Sequence, residues 1–270
     1  MKHDPWQINQ DPNADNFKVD SLSLPAEVTA QRLVSRHQLT SILERENPMS
    51  GRATGFQEQQ ELAFSLLTSA KVNKAFEIQT ESAETRERYG RNKFGQSLLL
   101  SRRLVEAGTA FVTLDLSYHT ASGTWDTHGD NIPPYGGISK GLGPLLPLFD
   151  HLITTLVSDL EERGLLDKVL VIAMGEFGRT PNINPNLGRD HWPNAWSLAL
   201  AGGGIKTGQV IGSTDERGAN VTNRVVSMGD LYATVYKLMG VDHTKEIMSP
   251  IGRPIKIVDG GAPVRELFTA

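Results

Sequence analysis

The chain has 270 residues, with 27 Lys and Arg against 31 Asp and Glu, and a formal net charge of −4 at pH 7. That balance leaves no basic footprint for nucleic acid or for an anionic membrane surface. Cysteine is absent, which excludes disulfides, thiolate metal sites and cysteine nucleophiles, so any metal has to be held by imidazole and carboxylate.

No apolar run reaches the roughly 18 residues that a membrane-spanning helix needs, and the polar start Met1-Lys-His-Asp-Pro-Trp6 does not open a signal peptide. The first 24 residues are rich in Asp, Asn and Pro and read as an extended irregular segment. Pro25 suits the first turn of a helix. Val28, Leu33, Leu39, Ile42 and Leu43 then recur at three- and four-residue spacings, which predicts one buried stripe ending near Asn47-Pro48. Phe56 to Phe76 repeats the pattern with Leu62, Leu66, Leu67, Val72 and Phe76. Glu81 to Arg91 is strongly charged and predicts a short exposed helix ending at Tyr89-Gly90, and Phe94 to Ala107 a further one closed by Gly108.

Thr109 to Leu116 alternates and branches as a strand does, so helix, glycine and strand together predict the αβ half of a parallel crossover unit. A polar loop with Trp125, Asp126, His128 and Asp130 follows. Ser139 to Arg163 is the next expected helix, with Leu145, Leu148, Leu152, Leu156 and Leu160 along its buried face. Gly164 stops it ahead of the apolar run Val169 to Met174. That run predicts a strand buried on both faces, and it ends at Gly175 in a loop carrying Glu176, Arg179, Arg189, Asp190 and His191. Trp196 to Ala201 predicts another buried strand, and Gly202-Gly-Gly204 a tight exit rather than a phosphate cradle. Lys206 to Ala219 reads as a hairpin or a pair of short strands, Ser227 to Met239 as a helix, and Gly252 to Val258 as an edge strand that tolerates its proline. The expected organisation is an irregular segment over 1–24, a helical segment over 25–108 packing on a sheet, and an α/β part over 109–270.

Strand ends of open α/β sheets are where ligand sites form, so the two polar loops are the candidate site. Asp126 and His128, two residues apart, either aim an oxygen and an imidazole at one ion or make an ordinary turn. Asp190 and His191 offer a second pair, which either serve different ions, or act with one ligating while the other orients its partner, or make an ordinary surface turn. Glu176 reads as a metal ligand or base, or as the ion-pair partner of Arg179 or Arg189. Those two arginines either fork onto a phosphate or sulfate ester or neutralise the loop's acids.

Three stretches, WDTHGDN, LLDKVLVIAMGEFGRTPNIN and GRDHWPNAWSLALAGGGIKTGQVIGSTDERGA, resemble the C-terminal part of the DUF1501 family, within the alkaline phosphatase and sulfatase-like superfamily. The resemblance runs from about Asp20 to the end. It implies a three-layer α/β/α sandwich with a mostly parallel sheet, incomplete at its N-terminus, and metal-assisted hydrolysis of phosphate or sulfate esters of small molecules or polysaccharides. It makes Asp126, His128 and His191 the metal ligands, Glu176 and Asp190 further ligands or a base, and Arg179 and Arg189 the anion binders. Zinc is the first expectation for the divalent metal, with manganese, calcium or iron as alternatives. Glu176-Phe177 falls where such hydrolases carry Asp-His, and phenylalanine cannot coordinate a metal. The family's early aspartate and its Ser, Thr or modified-Cys nucleophile have no counterpart before Asp115. The resemblance therefore implies a C-terminal portion without its nucleophile. The alternative is a binding or structural domain that keeps the fold without the chemistry. Full-length relatives imply an extracytoplasmic location.

Overall fold

The computed structural model describes residues 7–19, 22, 24, 27–46, 54–117, 125–129 and 137–268. The chain divides into two compact units, Met1–Asp115 and Leu116–Ala270.

The first unit is helical, with α1 (Ala30–Glu46), α2 (Thr54–Thr68), α3 (Ala70–Phe76), α4 (Ala83–Tyr89) and α5 (Lys93–Glu106). The single helix expected over Phe56 to Phe76 is two, because the Ser69 hydroxyl accepts from the Val72 amide and caps a new start. Ser82 and Asn92 cap α4 and α5 in the same way, accepting from the amides of Thr85 and Gly95. Phe17, Val19, Ala75, Ile78, Tyr89, Phe94, Leu98, Leu99 and Leu100 are buried, and α4, expected to be exposed, turns Tyr89 and Arg86 inward. The stripe expected on α1 is not buried among the described residues, since Leu39, Ile42 and Leu43 are all more than half exposed.

Polar groups lock this unit. Arg86 Nε donates to Gln96 Oε1 at 2.8 Å, and Gln96 Nε2 returns bonds to the carbonyls of Arg86 and Gly90, each at 2.9 Å. Glu81 takes Arg102 at 3.1 Å and also pairs with Arg103, while Arg102 reaches Glu106 at 2.6 Å. Burial pushes the Glu81 carboxyl up, but the hydrogen bonds and charges of Arg102 and Arg103 outweigh it and hold the group below its ordinary value.

In the second unit a π-helical turn, Gly137–Leu142, leads into α6 (Gly143–Glu162), whose Leu152, Leu156 and Leu160 are buried as the spacing predicts. The strands are β1 (Leu170–Ala173), β2 (Gly178–Arg179), β3 (His191–Trp192), β4 (Ala199–Gly202), β5 (Ser213–Thr214) and β6 (Val221–Asn223). Then come α7 (Met228–Leu238), β7 (Glu246–Met248) and β8 (Pro254–Lys256). Ile205, Val264 and Leu267 make a small core against which Leu170 of β1, Leu200 of β4 and Leu238 of α7 pack.

The protein is thus mixed α/β, but the expected mostly parallel sheet is not present among the described residues. Every ladder there is two-stranded and antiparallel: β1 with β4, β2 with β3, β5 with β6, β7 with β8. A parallel return needs a crossover helix, and the chain between β1 and β4 holds only the β2–β3 hairpin, so β4 comes back against β1. The strand expected over Thr109 to Leu116 does not form among the described residues, where the segment has no regular structure, and β1 is half-buried rather than enclosed on both faces. Gly202, Gly203 and Gly204 all have positive φ, at 73°, 62° and 70°. A Cβ at Gly202 would stand 2.4 Å from the carbonyl oxygens of Leu166 and Val169, so the triplet is a tight turn under β1. Among the described residues no helix is long and apolar enough to cross a membrane.

Candidate functional site

The β2–β3 hairpin sets the frame. Arg179 stands opposite His191 in its register, and directly opposed residues of an antiparallel pair project from one face. Phe177, just before β2, stacks on the His191 ring with centroids 4.0 Å apart, and the Arg179 guanidinium lies 5.6 Å from the Phe177 ring centre.

The Asp126/His128 loop completes the arrangement. Asp126 Oδ1 accepts from the His128 backbone amide at 2.9 Å and stands 2.9 Å from His128 Nδ1. A carboxylate at Nδ1 fixes the proton there and leaves Nε2 as the lone-pair atom. The His128 and His191 ring centroids are 4.7 Å apart, and Arg179 Nη1 is 3.5 Å from His128 Nε2. Burial pushes the Asp126 carboxyl up, yet the bonds from the His128 amide and imidazole, with the Arg179 charge, hold it below its ordinary value.

The two arginines differ. Arg189 Nη1 donates to the carbonyls of Thr180 at 2.7 Å and Pro181 at 2.9 Å, so its charge is spent on closing its own loop. Arg179 reaches the carbonyls of Arg189 and Trp125 at 3.4 Å each, long for such bonds, and has no carboxylate partner among the described residues. Of the two, Arg179 is the more loosely held among the described residues.

Two loops remote in sequence are clasped together at their backbones. The Arg189 amide donates to the Thr127 carbonyl at 2.7 Å, and a Cβ at Gly188 would fall 2.2 Å from the His128 carbonyl carbon. Asp190 is exposed and receives the Asn184 side-chain amide at 2.9 Å. Trp125 donates to the Leu116 carbonyl at 2.9 Å and meets Phe149 edge-on, while Trp192 donates to the Ala219 carbonyl at 2.6 Å.

Of the residues singled out from the sequence, Asp126, His128, His191 and Arg179 come together, with Asp190 and Arg189 in the adjoining loop. Glu176 does not join them: it is exposed and makes no side-chain hydrogen bond or ion pair among the described residues, with either arginine or otherwise. Asp130 lies outside the described residues. Sequence reasoning passed over Asn184, although Asn184-Pro-Asn-Leu-Gly188 carries the composition of an Asx turn, which is a usable signal.

Two imidazoles and nearby carboxylates match a borderline divalent cation in donor type. The arrangement is less complete, because no three His, Asp or Glu side chains among the described residues are grouped so as to hold an ion. Arg179 also faces the His128 atom that would ligate. The fit is in residue type and not yet in geometry.

A mixed α/β protein with a loop site of two histidines, a carboxylate and a loosely held arginine is the class that fold and site define. Its sequence matches the family described as "Protein of unknown function (DUF1501)" over residues 1–268, and the chain belongs to that family. The match includes the first 20 residues, ahead of the motif resemblance. No curated protein and no solved structure matches it.

Proposed function

We propose that this site is that of a metal-dependent hydrolase-like domain, acting on phosphate or sulfate esters of small molecules or polysaccharides, within the alkaline phosphatase and sulfatase-like superfamily. The observation that supports it is His128, buttressed at Nδ1 by Asp126 and set beside His191 and Arg179. Carboxylate, imidazole and a second donor is the pattern by which metal-ligating histidines are oriented. His128 and His191 would hold a divalent ion, zinc before manganese, calcium or iron, with Asp126 behind His128 and Asp190 as a further carboxylate. A bound metal supplies charge to the ester oxygen and the leaving group. Arg179 binds the anionic oxygens, Arg189 shapes the loop that presents them, and proton transfer would fall to Asp190 of the adjoining loop or to Glu176, which would have to swing in from its exposed position outside the cluster. Metal analysis after dialysis tests the reading. Stoichiometric metal in the wild type, lost in Asp126→Ala and His191→Ala, is expected; stoichiometric metal untouched by both substitutions overturns it.

A second reading, a binding domain without catalysis, is favoured by Phe177, whose ring covers His191 where a hydrolase of this kind would carry another ligand. Turnover of an aryl phosphate or sulfate that disappears in His128→Ala rules it out.

A further inference from the structure

We propose that Asn184 is a positioning residue of this site, the side chain that sets where His128 and Asp190 stand. A primary amide offers two donors and an oxygen with two lone pairs. All four are used here. Nδ2 donates to the His128 carbonyl and to Asp190 Oδ1, each at 2.9 Å. Oδ1 accepts from the amides of Asn186 at 3.0 Å and Gly188 at 2.9 Å. With two N–H groups on one side and a carbonyl and a carboxylate on the other, the partners themselves fix which end is oxygen.

The two ends do different work. Oδ1 closes the local turn, helped by the Asn184 amide on the Gly188 carbonyl at 2.8 Å. That closure brings Gly188 against the backbone of Thr127 and His128, an approach that leaves no room for a Cβ. Nδ2 reaches 56 residues back in sequence to His128 and across to Asp190. A residue needed only for the turn requires the acceptor alone, and aspartate would serve as well. The second N–H, on Asp190, is spent on a residue of the proposed site. Arg179 also reaches both loops, but at 3.4 Å to the carbonyls of Arg189 and Trp125, whereas both bonds from Asn184 Nδ2 are 2.9 Å.

What the positioned groups bind rests on the function proposed above; the positioning itself does not. The test replaces Asn184 by Asp, which keeps the acceptor, loses both donors and sets a second carboxylate against Asp190. The imidazole nitrogen resonances of His128 are recorded in wild-type and Asn184→Asp protein without metal, together with thermal unfolding and the zinc dissociation constant. The expected result is a displaced His128 signal with the melting transition retained, and zinc affinity weakened about tenfold. An unmoved His128 signal, or zinc affinity within twofold of wild type, overturns the proposal. Wild-type protein that binds no zinc defeats the metal reading, and the imidazole spectra then decide for Asn184 alone. If Asn184→Asp does not fold, Asp190→Ala at its exposed position takes its place: a shift of one Asn184 side-chain N–H signal together with those of His128 supports the proposal, and unchanged signals overturn it.

Discussion

Each unit of the chain carries an arginine cluster, and the two are partnered in opposite ways. In the helical unit Arg102 and Arg103 share Glu81, Arg102 also takes Glu106, and Arg103 Nε donates to the Ala75 carbonyl at 2.8 Å. Their side chains are 1% and 9% exposed, so almost no guanidinium surface is left for anything else. In the loop unit Arg179 is only half-buried, its hydrogen bonds run to 3.4 and 3.5 Å, and no carboxylate among the described residues forms an ion pair with it. A buried charge shared between carboxylates is structural; one held loosely beside two imidazoles is the better placed to meet a ligand.

The contrast is broken most forcefully at Glu81. Glu81→Ala leaves two buried guanidinium groups without their shared carboxylate, and should cost about 3 kcal/mol in urea denaturation. The same group gives the pH dependence its sign. Its pKa is lower folded than unfolded, so its contribution is fully present above the unfolded value of about 4.3 and is lost as pH falls through the depressed folded value. Stability measured against pH should therefore fall on the acid side in wild-type protein, and this part of the fall should vanish in Glu81→Ala.

On the loop side, Gly188→Ala forces a methyl group into the His128 backbone and should cost about 2 kcal/mol. The circular dichroism of the helices should be kept while the His128 and His191 proton resonances move. Leu187 has φ of 60° and is 61% exposed, so it is a strained residue with little burial to lose. Leu187→Gly should raise the unfolding free energy, by about 1 kcal/mol or less, since the relief of a left-handed leucine is partly offset by the entropy of glycine in the unfolded chain. A loss of stability would mean that the loop is not under strain there.

Local signals carried the helices well. The helix expected from Phe94 to Ala107 is α5, displaced by one residue, because its capping asparagine, apolar spacing and closing Gly108 all act within the segment. The break at Ser69 was also a local signal, but the apolar repeat ran straight through it. Strand direction was not legible, since an apolar run says how deeply a strand is buried and not which neighbour it meets. At the site, residue types and loop placement marked Asp126, His128 and His191. The difference between Arg179 and Arg189 depends on which carbonyls the folded loop turns inward, and Asn184 matters because of a loop 56 residues away. Neither relation has a counterpart in local spacing.

The central claim, that the loop cluster is built for a ligand and the helical one for the fold, turns on Arg179. Calorimetric titration of inorganic phosphate into wild-type and Arg179→Ala protein tests it directly. The expected result is binding that weakens at least about tenfold in the variant, while its urea unfolding free energy stays within about 0.5 kcal/mol of wild type. Phosphate affinity within twofold of wild type, or a loss of stability approaching that of Glu81→Ala, would contradict it.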